Sequence, residues 1–217
     1  MFLFKYIFKN FRNGKINYSI NNKEEKNSKM DIKLFSLDEI INLLYILNEK
    51  MEENNIDKEE LYAFGSFVCL SYGYKEKDED IDVYTKNDIY EIRRLAYDLG
   101  NQYDSLGWFS NLNSLSDRGR SPKLQEYLKI NDSFIKYLSL SKLDIYIQSP
   151  NCLLYTKLCA FRHKDIEDIK NILEKNNLHT KEDILNFIKD YFNINFKPKD
   201  EIINNIDKIL ENKEEKK

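Results

Sequence analysis

The sequence predicts an α+β fold, with a small mixed β-sheet near the centre of the chain and a helical C-terminal half. Three short segments, 60–64, 80–84 and 142–147, have the apolar or alternating pattern of strands. After residue 150 the segments have the pattern of helices. Six glycines and three prolines among 217 residues are too few for a turn-dense all-β architecture.

Composition and charge exclude several classes of protein. With 41% apolar residues the chain can bury a core. The sequence contains no run of about 18 apolar residues, so no membrane-spanning helix is predicted. Residues 1–30 carry seven Lys or Arg against two Glu, while the net charge is −3, so the rest is acidic and predicts no broad nucleic-acid-binding face. Three cysteines without a CxxC motif, and two histidines, argue against zinc and favour reduced thiols in the cytoplasm.

The elements before the centre can be placed from local signals. Ser36 and Glu39 form a capping box that starts a helix with an apolar face. The run 60–64 predicts a buried strand, 67–72 a short helix that ends at a glycine, and 80–84 a strand of alternating polarity. These elements alternate between strand and helix, as a mixed sheet requires.

The later part divides into one unreadable stretch and a series of helices. Residues 100–135 give no clear pattern, whereas 142–147 alternates like a third strand. Helices are predicted at 88–99, 152–162, 165–175, 181–191 and 200–210. We therefore expect an N-terminal segment at 1–32, a central domain at 33–176 and a helical C-terminal extension at 177–217.

One group of residues predicts a site for a phosphate ligand and a metal ion. Gly65 and Ser66 form a turn after the first strand, where glycine permits close approach of a phosphate and Ser66 can cap the following helix. Asp80 and Asp82 stand two residues apart on a strand, so their carboxylates point to the same face and their backbone positions lie about 6–7 Å apart. Because Mg²⁺ is commonly held by a few carboxylates and substrate phosphates, this order predicts a nucleoside triphosphate between the turn and a metal.

The segment 61–84, LYAFGSFVCLSYGYKEKDEDIDVY, resembles the active-site segment of polymerase-beta-type nucleotidyltransferases. The likeness is greater to bacterial nucleotidyltransferase-fold families related to the AbiE abortive-infection toxins. Tyr72-Gly73-Tyr74-Lys75 matches with Lys for the usual Arg, and Asp78 stands where Thr or Ser is usual. The segment 149–168 resembles the helix pair of those families, Lys and Asp-x-x-Asp included.

The resemblance implies roles for three more residues. Lys157 would reach the nucleotide phosphates, and Asp168 would orient Lys157 or Arg162 through a charge-assisted hydrogen bond. A third metal carboxylate would come from a neighbouring strand, and Asp144 is the candidate. Each has an alternative as an ordinary surface or helix residue.

The function that this resemblance implies is Mg²⁺-dependent transfer of a nucleoside monophosphate from an NTP to an acceptor hydroxyl. RNA, a protein or a small molecule could be the acceptor. The likeness also implies a toxin role in toxin–antitoxin or phage-defence systems, with an antitoxin partner. Two alternatives remain open: a catalytically inactive module of the same fold that binds nucleotide or a partner, and a metal-dependent phosphohydrolase.

Overall fold

The computed structural model of the protein describes residues 34–78, 81–85, 90–102, 113–114, 124–193 and 199–214. They belong to one compact unit, Ile32–Lys217. The predicted N-terminal segment 1–32 and Asp80 of the predicted site lie outside the described residues.

A five-stranded mixed sheet forms the centre of the fold, with strand order β3-β2-β1-β5-β4. Its first strand, β1, pairs antiparallel with β2 and parallel with β5, while β2–β3 is parallel and β4–β5 antiparallel. The strands are β1 Glu59–Phe64, β2 Asp82–Thr85, β3 Asn113–Ser114, β4 Phe134–Ser139 and β5 Leu143–Gln148.

Helices account for most of the remaining described residues. They are α1 Leu37–Glu53, α2 Gly65–Ser71, α3 Tyr90–Gln102, α4 Leu124–Tyr127, α5 Pro150–Ala160, α6 His163–Lys175, α7 Lys181–Phe187 and α8 Lys199–Glu214. A 3₁₀ turn at Lys189–Tyr191 follows α7. The predicted α+β class with a small mixed sheet is confirmed.

The two faces of the sheet differ in burial. Leu61, Ala63 and Ile145 alternate along their strands and are at most 1% exposed, because they join the helices in one hydrophobic core. The opposite face carries aromatic rings in mutual contact: Tyr62, Phe64, Tyr84, Phe134 and Tyr146. Asp82 has the same strand parity as these rings, so it belongs to the less buried face.

The capping box predicted for the first helix is present. The backbone N–H of Glu39 donates to Ser36 Oγ over 3.3 Å, and the backbone N–H of Ser36 donates to Glu39 Oε2 over 2.9 Å. These bonds fix the start of α1, whose Leu44 and Leu47 sides pack into the core.

The last helix packs against the helix that follows β5. Asn205 of α8 donates a side-chain hydrogen bond to the carbonyl of Leu158 in α5 over 3.0 Å, and Ile202, Ile206 and Ile209 are buried. The C-terminal helices therefore help to fix α5, which carries one of the predicted site residues, Lys157.

Candidate functional site

The tight turn after β1 lies directly against a carboxylate of β2. Gly65 has φ +65°, a conformation that glycine adopts without the strain of a side chain. The register pairs Phe64 with Asp82, and a β-carbon at position 65 would lie 3.2 Å from Asp82 Oδ2. The structure therefore places Gly65 next to the Asp82 carboxylate, which would have to shift if position 65 carried a side chain.

Ser66 does not have the capping role expected of it. A cap at Ser66 would require the helix to begin after it, but α2 already begins at Gly65. The N-cap is Phe64, which makes no side-chain capping bond. Ser66 is instead a half-buried residue of the first helical turn. The prediction of Ser66 as a cap is wrong, because the positive φ of Gly65 already turns the chain into the helix.

Gln148, which no sequence motif marks, supports the turn through a hydrogen bond. Its side-chain oxygen accepts a hydrogen bond from the Gly65 backbone N–H over 3.4 Å. Its side-chain nitrogen donates to Thr156 Oγ1 over 3.2 Å and to Cys152 Sγ over 3.4 Å. The side chain is fully buried and ties the turn to α5.

Gln148 also occupies a particular level of the sheet. The parallel register pairs Ala63 with Ile147, so the next level places Gln148 beside Phe64, whose other neighbour is Asp82. A carboxylate from β5 that joined Asp82 would have to come from this level. The chain carries a neutral amide there, and nothing in the local sequence pattern marks it.

Asp144 lies elsewhere. It pairs with Glu60, four residues along β1 from the Asp82 level, which is about 13 Å at the rise of a strand. Its carboxylate accepts hydrogen bonds from Lys136 over 3.0 Å and from Ser139, and pairs with Lys58 at 2.9 Å. The grouping of Asp144 with Asp82 as metal ligands is therefore not what the structure shows.

The surroundings of Asp144 explain its charge state. The Ser139 hydroxyl, followed by the ammonium groups of Lys58 and Lys136, lowers the pKa of the Asp144 carboxyl to about 2. The carboxylate thus pairs with two exposed lysines at the end of the sheet opposite the turn.

Lys157 is enclosed by carboxylates. Its ammonium contacts Asp165 at 3.1 Å and Asp168 at 2.6 Å, and all three residues are at most 5% exposed. Burial alone lowers the pKa of Lys157, but attraction by Cys69, Asp168 and Asp165 outweighs it, so the pKa is raised. The expected link between Asp168 and Lys157 is present as geometry, although the ammonium is held within the protein.

Arg162 shares the Asp165 carboxylate from the solvent side. Its Nε donates to Oδ2 over 2.7 Å and its Nη2 to Oδ1 over 3.0 Å, a bidentate pair. The Arg162 side chain is 57% exposed while that of Asp165 is 0% exposed. The hydrogen bonds to Asp165 raise the pKa of Arg162, and the charges of Asp82 and Asp168 add to this effect.

The Tyr72–Lys75 segment has a docking role. The Tyr72 hydroxyl donates to the Gln148 carbonyl over 3.0 Å, and Asn171 of α6 donates to the Tyr74 carbonyl over 2.9 Å. Lys75 contacts Asp78 at 2.6 Å. The residues that carry the family resemblance here connect α2 to β5 and α6.

Two kinds of feature were sought throughout the described residues: groups of metal ligands and membrane-spanning helices. Among the residues that the structure describes, no group of three or more His, Cys, Asp or Glu side chains is arranged to hold a metal ion. No helix in the described ranges is both long and apolar enough to cross a membrane.

Comparisons with known proteins add little information about what the site does. No protein-family model matches the chain, and no curated protein matches it by sequence. Among solved structures, the chain is similar to the crystal structure of an antigenic nucleotidyltransferase-like protein from Paracoccidioides brasiliensis. The identity is 16%, the match covers 82% of this chain and 95% of that one, and the TM-score is 0.43. A likeness at this TM-score and identity assigns no function to the chain.

Proposed function

We propose that the protein is a nucleotidyltransferase that moves a nucleoside monophosphate from an NTP to an acceptor hydroxyl. The observation that carries the proposal is the close approach of the Gly65 turn to Asp82, which brings a tight glycine turn beside a carboxylate on the adjacent strand. Gly65 and Ser66 would hold the β- and γ-phosphates: the glycine would allow their close approach and Ser66 would supply the donors, because the Gly65 N–H already donates to Gln148.

The donor set suits magnesium, although it consists of only two carboxylates. Mg²⁺ is usually bound by one or two carboxylates together with substrate phosphates rather than by a complete protein cage. Asp82 supplies one carboxylate beside the turn, and Asp80, two residues earlier in the chain, would supply the second. When bound, the ion would stabilise the charge that develops on the α-phosphate and on the pyrophosphate.

The proposed step is a substitution at phosphorus. The acceptor oxygen forms a bond to the α-phosphorus while the bond from that phosphorus to the bridging oxygen of the β-phosphate breaks. Pyrophosphate leaves with the electron pair, and the acceptor proton passes to water. The turn residues bind the leaving phosphates, and Gln148 holds the turn through its bond to Gly65.

The decisive experiment compares Asp82→Asn with a matched control. The protein is incubated with each α-labelled NTP, Mg²⁺, and either a cellular RNA extract or a protein extract. Asp98, an exposed residue of α3, provides the control Asp98→Asn. We expect labelled acceptor with the parent and Asp98→Asn, and loss of at least about 100-fold with Asp82→Asn, as for removal of an essential electrostatic group. Equal labelling by Asp82→Asn would refute the proposal.

A second candidate function has one specific observation in its favour. Because Gln148 and not a carboxylate occupies the β5 level beside Asp82, the site has a donor set suited to holding a nucleotide with little transfer. The chain would then be an inactive module of the same fold that binds nucleotide or a partner. Single-turnover labelling separates the two candidates, since only a transferase produces labelled acceptor.

The biological setting follows from the resemblance alone. We propose a toxin of a toxin–antitoxin or phage-defence pair, with an antitoxin as its partner. The buried free thiols of Cys69, Cys152 and Cys159 support a reducing compartment, the cytoplasm, as its place of action. Expression of the protein should arrest growth, the arrest should require Asp82, and co-expression of a neighbouring gene should relieve it. Normal growth on expression would contradict this setting.

A further inference from the structure

We propose that Thr156 is a positioning residue of the candidate site, because its hydroxyl keeps the Gln148 side chain in the orientation that fixes the Gly65 turn. Two hydrogen bonds in series connect Thr156 to the turn. Gln148 Nε2 donates to Thr156 Oγ1 over 3.2 Å, and the Gly65 backbone N–H donates to Gln148 Oε1 over 3.4 Å. The inference rests on the proposed function, since it concerns the turn that would hold the nucleotide phosphates.

Gln148 holds both ends of the helix that follows the turn. Helix α2 begins at Gly65, whose backbone N–H donates to the Gln148 side chain. The C-cap of the same helix is Tyr72, whose hydroxyl donates to the Gln148 backbone carbonyl over 3.0 Å. The main chain of Gln148 is thus fixed by β5 and by Tyr72, so the rotation of its side chain decides whether Gly65 has an acceptor.

The amide of Gln148 has one orientation that satisfies its neighbours. The Gly65 backbone N–H can only donate, so it requires the side-chain oxygen of Gln148. The side-chain nitrogen then donates to Thr156 Oγ1, and also to Cys152 Sγ over 3.4 Å. Because sulfur is a weak acceptor, the Thr156 hydroxyl is the stronger of these two partners.

The Thr156 oxygen is available to Gln148 because its own proton is used elsewhere. The hydroxyl donates to the carbonyl of Leu153, three residues earlier in α5, over 2.9 Å. A hydroxyl that donates its proton can still accept through its lone pairs. Gln148 is 0% exposed, so without Thr156 Oγ1 its nitrogen would lose a partner in a place that bulk water does not reach. That loss would favour rotation of the amide away from Gly65.

Rotation of Gln148 would affect the site because the turn lies so close to Asp82. A β-carbon at position 65 would be 3.2 Å from Asp82 Oδ2, so even a small displacement of the turn changes the space beside the carboxylate. In the proposed function this space holds the β- and γ-phosphates. A loosely held turn should therefore weaken binding of a triphosphate more than binding of a monophosphate.

The first experiment follows the turn without any ligand. Hydrogen exchange of the Gly65 amide is measured by NMR in the full-length parent, in Thr156→Val, which removes the hydroxyl, and in Thr156→Ser, which keeps it. Glycine labelled at nitrogen and phenylalanine labelled at the carbonyl carbon identify the signal, because Gly65 is the only glycine that follows a phenylalanine. Gly73, whose N–H donates to the Leu70 carbonyl over 2.9 Å, is the internal reference.

Asn205→Leu is the matched control for the packing of α5. Asn205 is buried and donates to the carbonyl of Leu158 in the same helix over 3.0 Å, so its replacement destabilises α5 without removing a bond to Gln148. Thermal melting establishes that every variant is folded at the temperature of the measurements. Thr156→Ala replaces Thr156→Val if the valine variant does not fold.

We expect the Gly65 amide to exchange about 5- to 100-fold faster in Thr156→Val, as for a turn that has lost a buried hydrogen-bond partner. Exchange in Thr156→Ser and in Asn205→Leu should remain close to that of the parent. The Gly73 amide should be unchanged in all variants. A merely structural role for Thr156 would loosen both glycines or neither, so the ratio of their exchange rates is the decisive readout.

The second experiment measures binding without turnover. The same proteins are titrated by calorimetry with α,β-methylene-ATP or α,β-methylene-UTP, whichever the parent binds more tightly, and with the corresponding monophosphate. Thr156→Val should bind the triphosphate analogue about 5- to 20-fold more weakly and the monophosphate almost as well as the parent, as for a displaced phosphate-binding turn. Thr156→Ser should recover the triphosphate affinity.

The two experiments separate this inference from the proposed function. Parent-like exchange at Gly65 in Thr156→Val overturns the inference, whatever the nucleotide data. Faster exchange at Gly65 with unchanged triphosphate affinity in Thr156→Val overturns the role of Thr156 in the site, while the proposed function survives. If the parent binds neither nucleotide, the proposed function fails and the role in phosphate binding fails with it. In that case the exchange data still decide whether Thr156 holds the turn through Gln148.

Discussion

The side-chain oxygen of Gln148 accepts a hydrogen bond from the backbone N–H of Gly65, so the end of β5 holds the turn that follows β1. The two residues are 83 positions apart in sequence, and the contact exists because β1 and β5 run parallel and end at the same edge. The turn is therefore positioned by the sheet and by α5 together, through the bond from Gln148 to Thr156.

Replacing Gln148 by Leu should weaken both the fold and the site. The substitution leaves the Gly65 N–H without its acceptor and removes two further bonds in a fully buried place, so we expect a loss of about 1–3 kcal/mol in the free energy of unfolding. Binding of the non-transferable NTP analogue should weaken as well. Asn171→Leu, which removes a bond to the Tyr74 carbonyl away from the turn, should destabilise without that effect. Unchanged NTP affinity in Gln148→Leu would contradict the role in positioning.

Gly65→Ala should abolish transfer. An alanine at φ +65° is strained, and its β-carbon would be 3.2 Å from Asp82 Oδ2, tighter than ordinary contact. Gly73→Ala is the matched control, since Gly73 has φ +66° and its β-carbon would meet only the flexible end of Lys175 at 3.1 Å. Both variants should lose about 1 kcal/mol of stability in urea denaturation.

Transfer measured with labelled NTP should be lost in Gly65→Ala alone. Full activity in Gly65→Ala would show that the close approach of the turn to Asp82 has no part in catalysis. Loss of activity in both variants would mean that strain at these glycines, rather than the contact with Asp82, is responsible.

Local pattern was enough to place the elements with regular periodicity. The strand at 60–64, the alternating strand at 142–147 and the capping box at Ser36 were all predicted within a residue or two. Strand β4, Phe134–Ser139, was missed for a physical reason. A bulge between Lys136 and Leu138 shifts the pairing by one residue, so the alternation that signals a strand is interrupted in the sequence.

The candidate site was predictable only in part because register is a tertiary property. Alternation places Asp144 on a sheet face, but the level at which β5 meets β1 depends on the rest of the fold. Gln148 carried no signal, since an amide after an apolar strand is ordinary. The Asp-x-x-Asp spacing did bring Asp165 and Asp168 to one face of α6, yet their enclosure of Lys157 depends on how α5 and α6 pack.

Asp165→Asn should be among the most destabilising polar substitutions in the chain. It removes a fully buried carboxylate that accepts from both Lys157 and Arg162, and it leaves the buried ammonium with Asp168 alone. Breaking a buried pair costs about 3–5 kcal/mol.

The control for that substitution is the exposed pair of Lys181 and Asp207, at 2.7 Å with both side chains 41% exposed. Asp207→Asn should change the free energy of unfolding by about 0–1 kcal/mol. Urea denaturation of the two variants at neutral pH makes the comparison. Similar losses in both would contradict the distinction between the buried cluster and the surface pair.

Asp144→Asn should leave transfer intact and change the acid stability of the protein. The pKa of Asp144 is lowered from 3.8 to about 2, first by the Ser139 hydroxyl and then by Lys58 and Lys136. A lowered pKa in the folded state means that the carboxylate stabilises the protein above pH 4, and that this contribution is lost as the pH falls toward 2. The parent should therefore exceed Asp144→Asn in stability at pH 6, with the difference shrinking between pH 4 and pH 2 in urea denaturation. Transfer should be unaffected, because Asp144 is four residues along β1 from Asp82. A folded Asp144→Asn protein without transfer would restore Asp144 as a metal ligand, despite the register.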